Sequence, residues 1–551
     1  MENSVLDGNL YIEMLKSGAA YLNENRTIVN DLNVFPVPDG DTGDNMFMTI
    51  DACSNVVGNL NDKSLDLVAE KSAQAMLLGA RGNSGVILSR IFAGIAKGFS
   101  GVKEANVTEF GKALQNGVVE AYKAVNVPVE GTILTVYKDA VNFANSKIDS
   151  TSTFETYFID LIEELKQSLN RTPELLACLK EAGVVDSGGA GFVYIAEGMK
   201  KAILGEKVVS SVHNHGTNQA KFIDTSKFNE NSELSYGYCT EFLLQLQNSK
   251  VDVKNFDVNV IKDFLETLGD SIVCFKEGTI VKVHVHTKTP GVVFNFAQKY
   301  GEFLTLKVEN MTIQHESTII ENRVEFKKEK PHKKIGIVTV AMGDGIIDTF
   351  KQLGCDYVVN GGQSMNPSAE DFVKAFNEIN ADTILVFPNN SNVILTANQA
   401  AGLYDKAKIV VIPSKNIGQG YAAISTLNDK DEIDNVIAEC NERIKQVRTG
   451  LISKANRNIV MNDVEIHSGD YIDYEDDTIF SDSKERKDVF FDLCENLNAE
   501  DASLLLVVTG KDVEENEISE LQGTLEDKYP LTEVIFIRGN QPIYDYVLII
   551  E

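Results

Sequence analysis

Apolar residues recur every three or four positions through most of residues 1–205. The spacing is plain in YIEMLKSGAAYL (11–22), SLDLVAEKSAQAMLLGA (64–80), SGVILSRIFAGIAKGF (84–99), EFGKALQNGVVEAYKAV (109–125) and TSTFETYFIDLIEELKQSL (151–169). That period turns one face of a helix inward. Short Gly, Pro and Asp breaks separate the runs, with no β-rich stretch between them. An all-α domain of roughly eight helices is predicted over residues 1–208.

The polar run HNHGTNQAKFIDTSKFNENSE (213–233) reads as a linker, bounded at 209–233. The pattern then changes to strand (LSYGYCTEFLLQL), helix (NVIKDFLETLG), strand (SIVCF), strand (TIVKVHVHT), helix (PGVVFNFAQKYG) and strand (FLTLKVENM). This order is the split-βαβ plan of an α+β domain, here 234–325. The charged segment VEFKKEKPHKK (324–334) marks the next boundary. Beyond it IGIVTV, TILVF and KIVVIP alternate with helical stretches, and LLLVV, VIFI and VLII follow. Residues 332–551 are thus predicted as an α/β domain on a parallel, doubly covered sheet. The fold class is multidomain.

The chain has 551 residues, enough for two to four cores. No apolar run approaches the roughly 20 residues needed to span a bilayer. The start, MENSVLDGNLY, lacks a basic-then-apolar signal. Seven cysteines without framework spacing fit reduced thiols, and a cytoplasmic protein is expected. A formal net charge of −30 disfavours nucleic acid and anionic membrane surfaces, and suits a basic protein partner.

Four loops of the helical domain could hold a nucleotide. In DLNVFPVPDGDTGDNMFMTI (31–50), Gly40 and Gly43 permit a tight turn, and Asp39 and Asp41 can converge on a hard cation such as Mg²⁺. Alone, DGDTGD reads equally as an acidic turn capping a helix. In GARGNSG (79–85) glycines open the backbone, Asn83 or Ser84 caps the next helix, and Arg81 is available for a phosphate oxygen. Gly131 and Thr132 open a helix in VEGTILTVYKDA, as Asp186 or Ser187 does in VVDSGGAGFVYIAEG. Each is weak singly. Four such loops in one helical domain, directed to one end, would enclose a nucleotide and its metal.

NVFPVPDGDTGDNM, LLGARGNSGVILS, PVEGTILTV and GVVDSGGAG resemble the nucleotide-binding subunit of dihydroxyacetone kinases, the DAK2 family. They resemble more closely the catalytic subunit of bacterial fatty acid kinase. YGYCTEF, VKVHVHT, LKVENM, NGGQSMNPS and IPSKNIGQGYAA extend that likeness over nearly the whole chain. The resemblance implies a helical barrel of the dihydroxyacetone kinase L-subunit type, holding ATP with Mg²⁺ on Asp39 and Asp41. Arg81 would assist catalysis. Thr42, Gly43, Asn45, Gly82, Asn83, Ser84, Gly131, Thr132, Asp186 and Gly188 would contact the nucleotide. The family commonly carries Thr where Asp44 stands, so Asp44 is either a further metal ligand or a helix-start charge. The implied reaction transfers the γ-phosphoryl group to the carboxylate of a fatty acid presented by a separate binding protein. Its acyl phosphate product serves phospholipid synthesis.

In TIVKVHVHT, His284 and His286 share a strand face, and the split-βαβ order puts the first and third strands side by side. Cys239 then lies near both histidines, giving either a partial Zn²⁺ shell or a polar strand face with a thiol; the family pattern favours zinc. The resemblance assigns dimerisation to the middle domain and partner docking to the C-terminal domain. The latter resembles fatty-acid-binding proteins of DegV type. Its apolar strands are sufficiently explained as sheet core, with no sequence basis for a second lipid pocket. His467 and Tyr544 read as structural. Two alternatives use the same nucleotide loops: a kinase for a small metabolite such as dihydroxyacetone, and a non-catalytic ATP-sensing regulator.

Overall fold

The computed structural model describes residues 5–33, 37, 40–58, 60, 62–125, 127–206, 238–310, 332–362, 365–428 and 431–551. The linker at 209–233 and most of the charged segment at 324–334 lie outside them. Two compact units result: residues 1–210 together with 331–551, and residues 211–330.

The helical part contains α1 (Gly8–Glu24), α2 (Arg26–Asn30), α3 (Thr42–Asp51), α4 (Ser54–Gly58), α5 (Leu65–Gly79), α6 (Gly82–Gly98), α7 (Val107–Lys123), α8 (Ile133–Ser146), α9 (Phe154–Leu175), α10 (Ala177–Ala182) and α11 (Ser187–Ile203). The excess over roughly eight consists of short turns, α2, α4 and α10, too brief to show a period. The helices bury one apolar core that includes Leu15, Met46, Leu88, Phe110, Tyr137, Leu165 and Ile195. Phe110 sits among Phe99, Phe154, Tyr157 and Phe158, with its ring 5.6 Å from that of Phe154. Small residues let helices approach closely. A Cβ on Gly94 of α6 would stand 2.4 Å from the Asn116 carbonyl oxygen of α7.

The middle unit contains β1 (Tyr238–Leu246), α12 (Asn259–Glu266), β2 (Gly269–Glu277), β3 (Ile280–Thr287), α13 (Pro290–Ala297) and β4 (Gly301–Asn310). Its antiparallel sheet has the order β2-β3-β1-β4, so β1 and β3 are central neighbours, as the split-βαβ reading requires. Val281, Val283 and Val285 are buried, and with them Phe242 and Leu244 form the core face.

The C-terminal part runs β5 (Lys333–Ala341), α14 (Asp344–Gln352), β6 (Tyr357–Asn360), α15 (Ala369–Asn377), β7 (Ala381–Phe387), α16 (Ser391–Gly402), β8 (Lys408–Val411), α17 (Ile417–Ser425) and α18 (Ile433–Gln446). It continues β9 (Arg448–Lys454), β10 (Ile459–Met461), β11 (Val464–Ile466), β12 (Tyr471–Glu475), β13 (Thr478–Ser483), α19 (Arg486–Asn496), β14 (Leu504–Thr509), α20 (Glu515–Lys528), β15 (Glu533–Arg538) and β16 (Tyr544–Ile550). The expected single parallel sheet is corrected here. One four-stranded parallel sheet, β6-β5-β7-β8, is followed by a mixed sheet, β13-β12-β9-β16-β14-β15. In the second only β14 and β15 are parallel, the one pair of sheet neighbours that follow each other in the chain through a helix. No helix among the described residues is long and apolar enough to cross a membrane.

Gly94→Val should lower stability by about 1–3 kcal/mol, because the clash is with backbone that has no rotamer to change. Gly101, at φ +75° with open space around it, should accept Asn at a cost below about 1 kcal/mol. Thermal midpoints of the two variants, compared with the parent protein, check both.

Candidate functional site

Four helix starts of the helical part lie at one end, linked residue to residue. Asp41 is the N-cap of α3, and its carbonyl accepts from the Asn45 N–H at 2.8 Å. The Thr42 hydroxyl receives the Ser187 hydroxyl at 3.2 Å, tying α3 to the start of α11. Asp186 caps α11, accepting from the Gly189 N–H at 2.6 Å, and its charge is also favoured by the Ile133 N–H at the start of α8. One carboxylate therefore serves two helix N-termini. On the other side, the Arg81 N–H donates to Thr49 Oγ1 at 3.3 Å, and Gly82, at φ +57°, lies against Asn45. A Cβ there would stand 2.6 Å from Asn45 Nδ2, so the position needs glycine on two counts.

The remaining sequence-predicted residues fall around this end. Asp39 lies outside the described residues. Gly43 donates its N–H to Asn30 Oδ1 at 2.7 Å. Asp44 has both oxygens engaged, by Arg26 Nε at 3.1 Å and Asn30 Nδ2 at 2.7 Å, so it acts in holding the start of α3. Ser84 is half-buried in the first turn of α6. Gly131 turns at φ +87°, and the Thr132 hydroxyl bends back to the Val129 carbonyl at 2.8 Å. Gly188 is buried, its position for a Cβ 3.3 Å from Ile133.

The C-terminal part covers this end. Asn366, fully buried, donates from Nδ2 to Asp41 Oδ2 at 2.6 Å. Its carbonyl accepts from Arg81 at 2.7 Å, and its Oδ1 faces Asn390 Nδ2 at 3.4 Å. Arg81 also lies 3.8 Å from Asp371. The Arg81 guanidinium is thus turned to the C-terminal part, where sequence reasoning aimed it at a phosphate. Asn83 donates to Asn392 at 3.2 Å, and its own Oδ1 is buried without a hydrogen-bond partner. Ala369 N–H to the Ala80 carbonyl, Gln399 Nε2 to the Leu77 carbonyl and Asn456 Nδ2 to the Val37 carbonyl extend the seam. Sequence reasoning missed Asn366, Asn390 and Asp371. Their only signal is an asparagine cluster in NGGQSMNPS and just after the β7 strand, FPNNSN.

Chemically, the end combines helix N-termini, open glycine backbone and the Asp41 carboxylate. Such a set suits phosphate groups carried with a hard cation. In the middle unit, register pairs Cys239 with His286 and Glu241 with His284 across β1 and β3. These positions share the sheet face opposite the valine core; the side chains of Cys239 and His284 lie outside the described residues.

Residues 36–201 match the family model described as DAK2 domain. Residues 235–318 match the middle-domain model of the FakA-like fatty acid kinase family, and 336–551 match its C-terminal model. The chain is 38% identical to Protein YloV of Bacillus subtilis (strain 168) over 100% of both chains. Among solved structures, a dihydroxyacetone kinase from C. freundii in complex with AMP-PNP and Mg²⁺ is 16% identical. It covers 35% of this chain and 33% of its own, at a TM-score of 0.28. DegV, a fatty acid binding protein from Bacillus subtilis, is 15% identical, covering 40% of this chain and 99% of its own at a TM-score of 0.30.

Burial pushes the Asp186 carboxyl up to about 6, against the two N–H groups that favour its charge. The folded state therefore keeps a proton that the unfolded chain releases near pH 4. Stability from this group is greatest below pH 4 and falls as pH rises to about 6, by on the order of 2–3 kcal/mol. Asp186→Asn should flatten that slope in urea titrations run between pH 4 and 7.

Proposed function

The chain belongs to the FakA-like fatty acid kinase family, and on that footing we propose that it is the catalytic subunit of an ATP-dependent fatty acid kinase. It would transfer the γ-phosphoryl group of ATP to the carboxylate of a fatty acid held by a separate binding protein. The acyl phosphate formed would feed phospholipid synthesis. The observation that carries this reading is the linkage of four glycine-bearing helix starts at the end of the helical part that holds Asp41.

In this proposal Asp39 and Asp41 hold Mg²⁺, which when bound neutralises phosphate charge. The donor set fits: the Asp41 carboxylate at the start of α3 is a hard oxygen ligand, and the four loops contain no histidine. The chain's own part is to position. Gly43 and Gly82 would border the phosphates, their missing Cβ atoms leaving room for Arg26 and Asn45, and Asp186 fixes the start of α11. Thr42, Asn45, Asn83, Ser84, Gly131, Thr132 and Gly188 line the nucleotide's surroundings. The acceptor carboxylate is already ionised near neutral pH, so no strong base is needed. Arg81 is held by Asn366 and Asp371 and would reach a phosphate only after release.

The middle unit is proposed to dimerise the enzyme and to hold Zn²⁺ on Cys239, His284 and His286, whose shared sheet face supports that use. The C-terminal part is proposed to dock the fatty-acid-loaded partner. The setting proposed is the cytoplasm, where the free cysteines of the described residues would stay reduced.

Asp41→Asn should lower phosphoryl transfer by at least about a hundredfold while leaving the helical circular dichroism unchanged. Turnover near the parent value at limiting Mg²⁺ would sink the assignment. Metal analysis should find zinc in the purified protein and none in the Cys239→Ser, His284→Ala, His286→Ala variant. A parent protein free of zinc refutes that part alone.

A further inference from the structure

One residue of the loop that leads to Asp41 is packed outside the helical core. Val37 stands four positions before Asp41, and its side chain is 1% exposed. It belongs to a cluster with Ala455, Ile466, Ile472, Tyr474 and Ile479, in the second C-terminal sheet and the β10–β11 hairpin. Among the described residues it is the one member of that cluster from outside the C-terminal part. Its carbonyl accepts from Asn456 Nδ2 at 2.9 Å, so side chain and backbone are engaged by the same neighbour. Pro36 and Pro38 flank it in the sequence and restrict the backbone on either side.

Asn456 is itself fixed from behind. The Ala455 N–H donates to the Asp470 carbonyl at 2.9 Å, and the Gly469 N–H donates to the Ala455 carbonyl at 2.8 Å. Gly469 turns at φ +94°. His467 opens the same turn, its N–H 3.2 Å from Asp482 Oδ1 and its Nδ1 2.9 Å from Oδ2. The HSGD segment thus clasps the strand end that presents Asn456. At the other end of the loop, Asp41 accepts from Asn366, which follows β6 of the parallel sheet. Four residues of chain span at most about 14 Å. The loop is therefore tied at two closely spaced points to the two different sheets of the C-terminal part.

We propose that Val37 and Asn456 are positioning residues for phosphoryl transfer: through them the second C-terminal sheet sets the place of Asp41 and so the affinity for its divalent cation. A loop that is already in place binds with its full affinity, and one that is in place for a fraction of the time binds more weakly by that fraction. The anchoring stands on the contacts themselves; its effect on the cation rests on the kinase reading.

The test uses the full-length protein. Asn456→Ala removes the donor from an exposed position without adding charge, and Val37→Ala removes two methyl groups from the cluster. Val37→Ile adds one methyl beside a cavity of about 390 Å³ and should keep the anchor. Without ligand, amide exchange in peptides covering residues 31–45 should be at least about fivefold faster in the Val37→Ala, Asn456→Ala double variant and unchanged in Val37→Ile. Mn²⁺ binding with AMP-PNP present, followed by electron paramagnetic resonance, should weaken about fivefold in the double variant and about twofold in Asn456→Ala. Excess Mg²⁺ should restore most of the saturated turnover, a split that a general loss of folded protein does not give. Unchanged exchange in the double variant overturns the anchor. Faster exchange with an unchanged Mn²⁺ constant overturns the positioning role. Should the double variant fail to fold, Asn456→Ala carries both measurements by itself. A parent protein that binds no Mn²⁺ with AMP-PNP sinks the kinase reading instead, and the exchange rates still decide the anchor.

Discussion

A carboxylate at a helix start, enclosed by protein on most sides, must find donors or lose its charge. Asp41 finds one in Asn366, a residue 325 positions away in the chain. An amide is well suited to this contact. It donates to the carboxylate without adding charge, while its carbonyl oxygen and backbone oxygen take Asn390 and Arg81. Much of the hydrogen bonding between the helical and C-terminal parts is arranged around this residue, with further polar contacts through Asn83, Arg90 and Gln399. Polar seams of this sort are easier to part than apolar ones, since water replaces each bond on opening. In the proposed site a metal ion would compete for Asp41 with a neutral amide, a modest barrier beside a buried ion pair.

The helical part was legible because its chemistry is local. Periods such as those in α6 and α7 declare a buried face within five turns, and Gly82 and Gly131 mark turns with φ above zero. The split-βαβ order was readable too, since alternation in VKVHVHT and the element sequence together dictate the β1–β3 pairing. The second C-terminal sheet was not. Its strands β14 and β16 are as apolar as parallel core strands, while β9 (RTGLISK) and β12 (YIDYE) are too mixed to stand out, and direction is decided by which connections are hairpins. Likewise Arg81 offered a cation beside glycines, but nothing nearby in sequence reveals that Asp371 and the Asn366 carbonyl claim it.

Asp44 and Asp186 illustrate why composition alone misleads at such a site. Both are acidic residues at helix starts, and both invite assignment as ligands. Asp44 is matched by Arg26 and Asn30 on the neighbouring helix and spends its charge there. Asp186 is met by backbone N–H groups rather than by a cation; these favour its charge, but burial outweighs them and raises its pKa. Two carboxylates with the same local sequence logic thus carry different duties, set by what lies across from them.

The order of segments along the chain has a consequence for synthesis. The unit that contains the proposed nucleotide loops is discontinuous, with residues 211–330 inserted between its two portions. A ribosome delivers the helical portion complete with its loops, yet Asn366, Asp371 and Gln399 emerge only after the middle unit has been made. At roughly 5–20 residues per second, the loop end stands open for on the order of ten seconds or more. On the proposed function, the nascent chain would be free to meet nucleotide and metal during that interval. The inserted segment can also vary in length at little cost, since doubling a closed loop adds only about 0.6 kcal/mol.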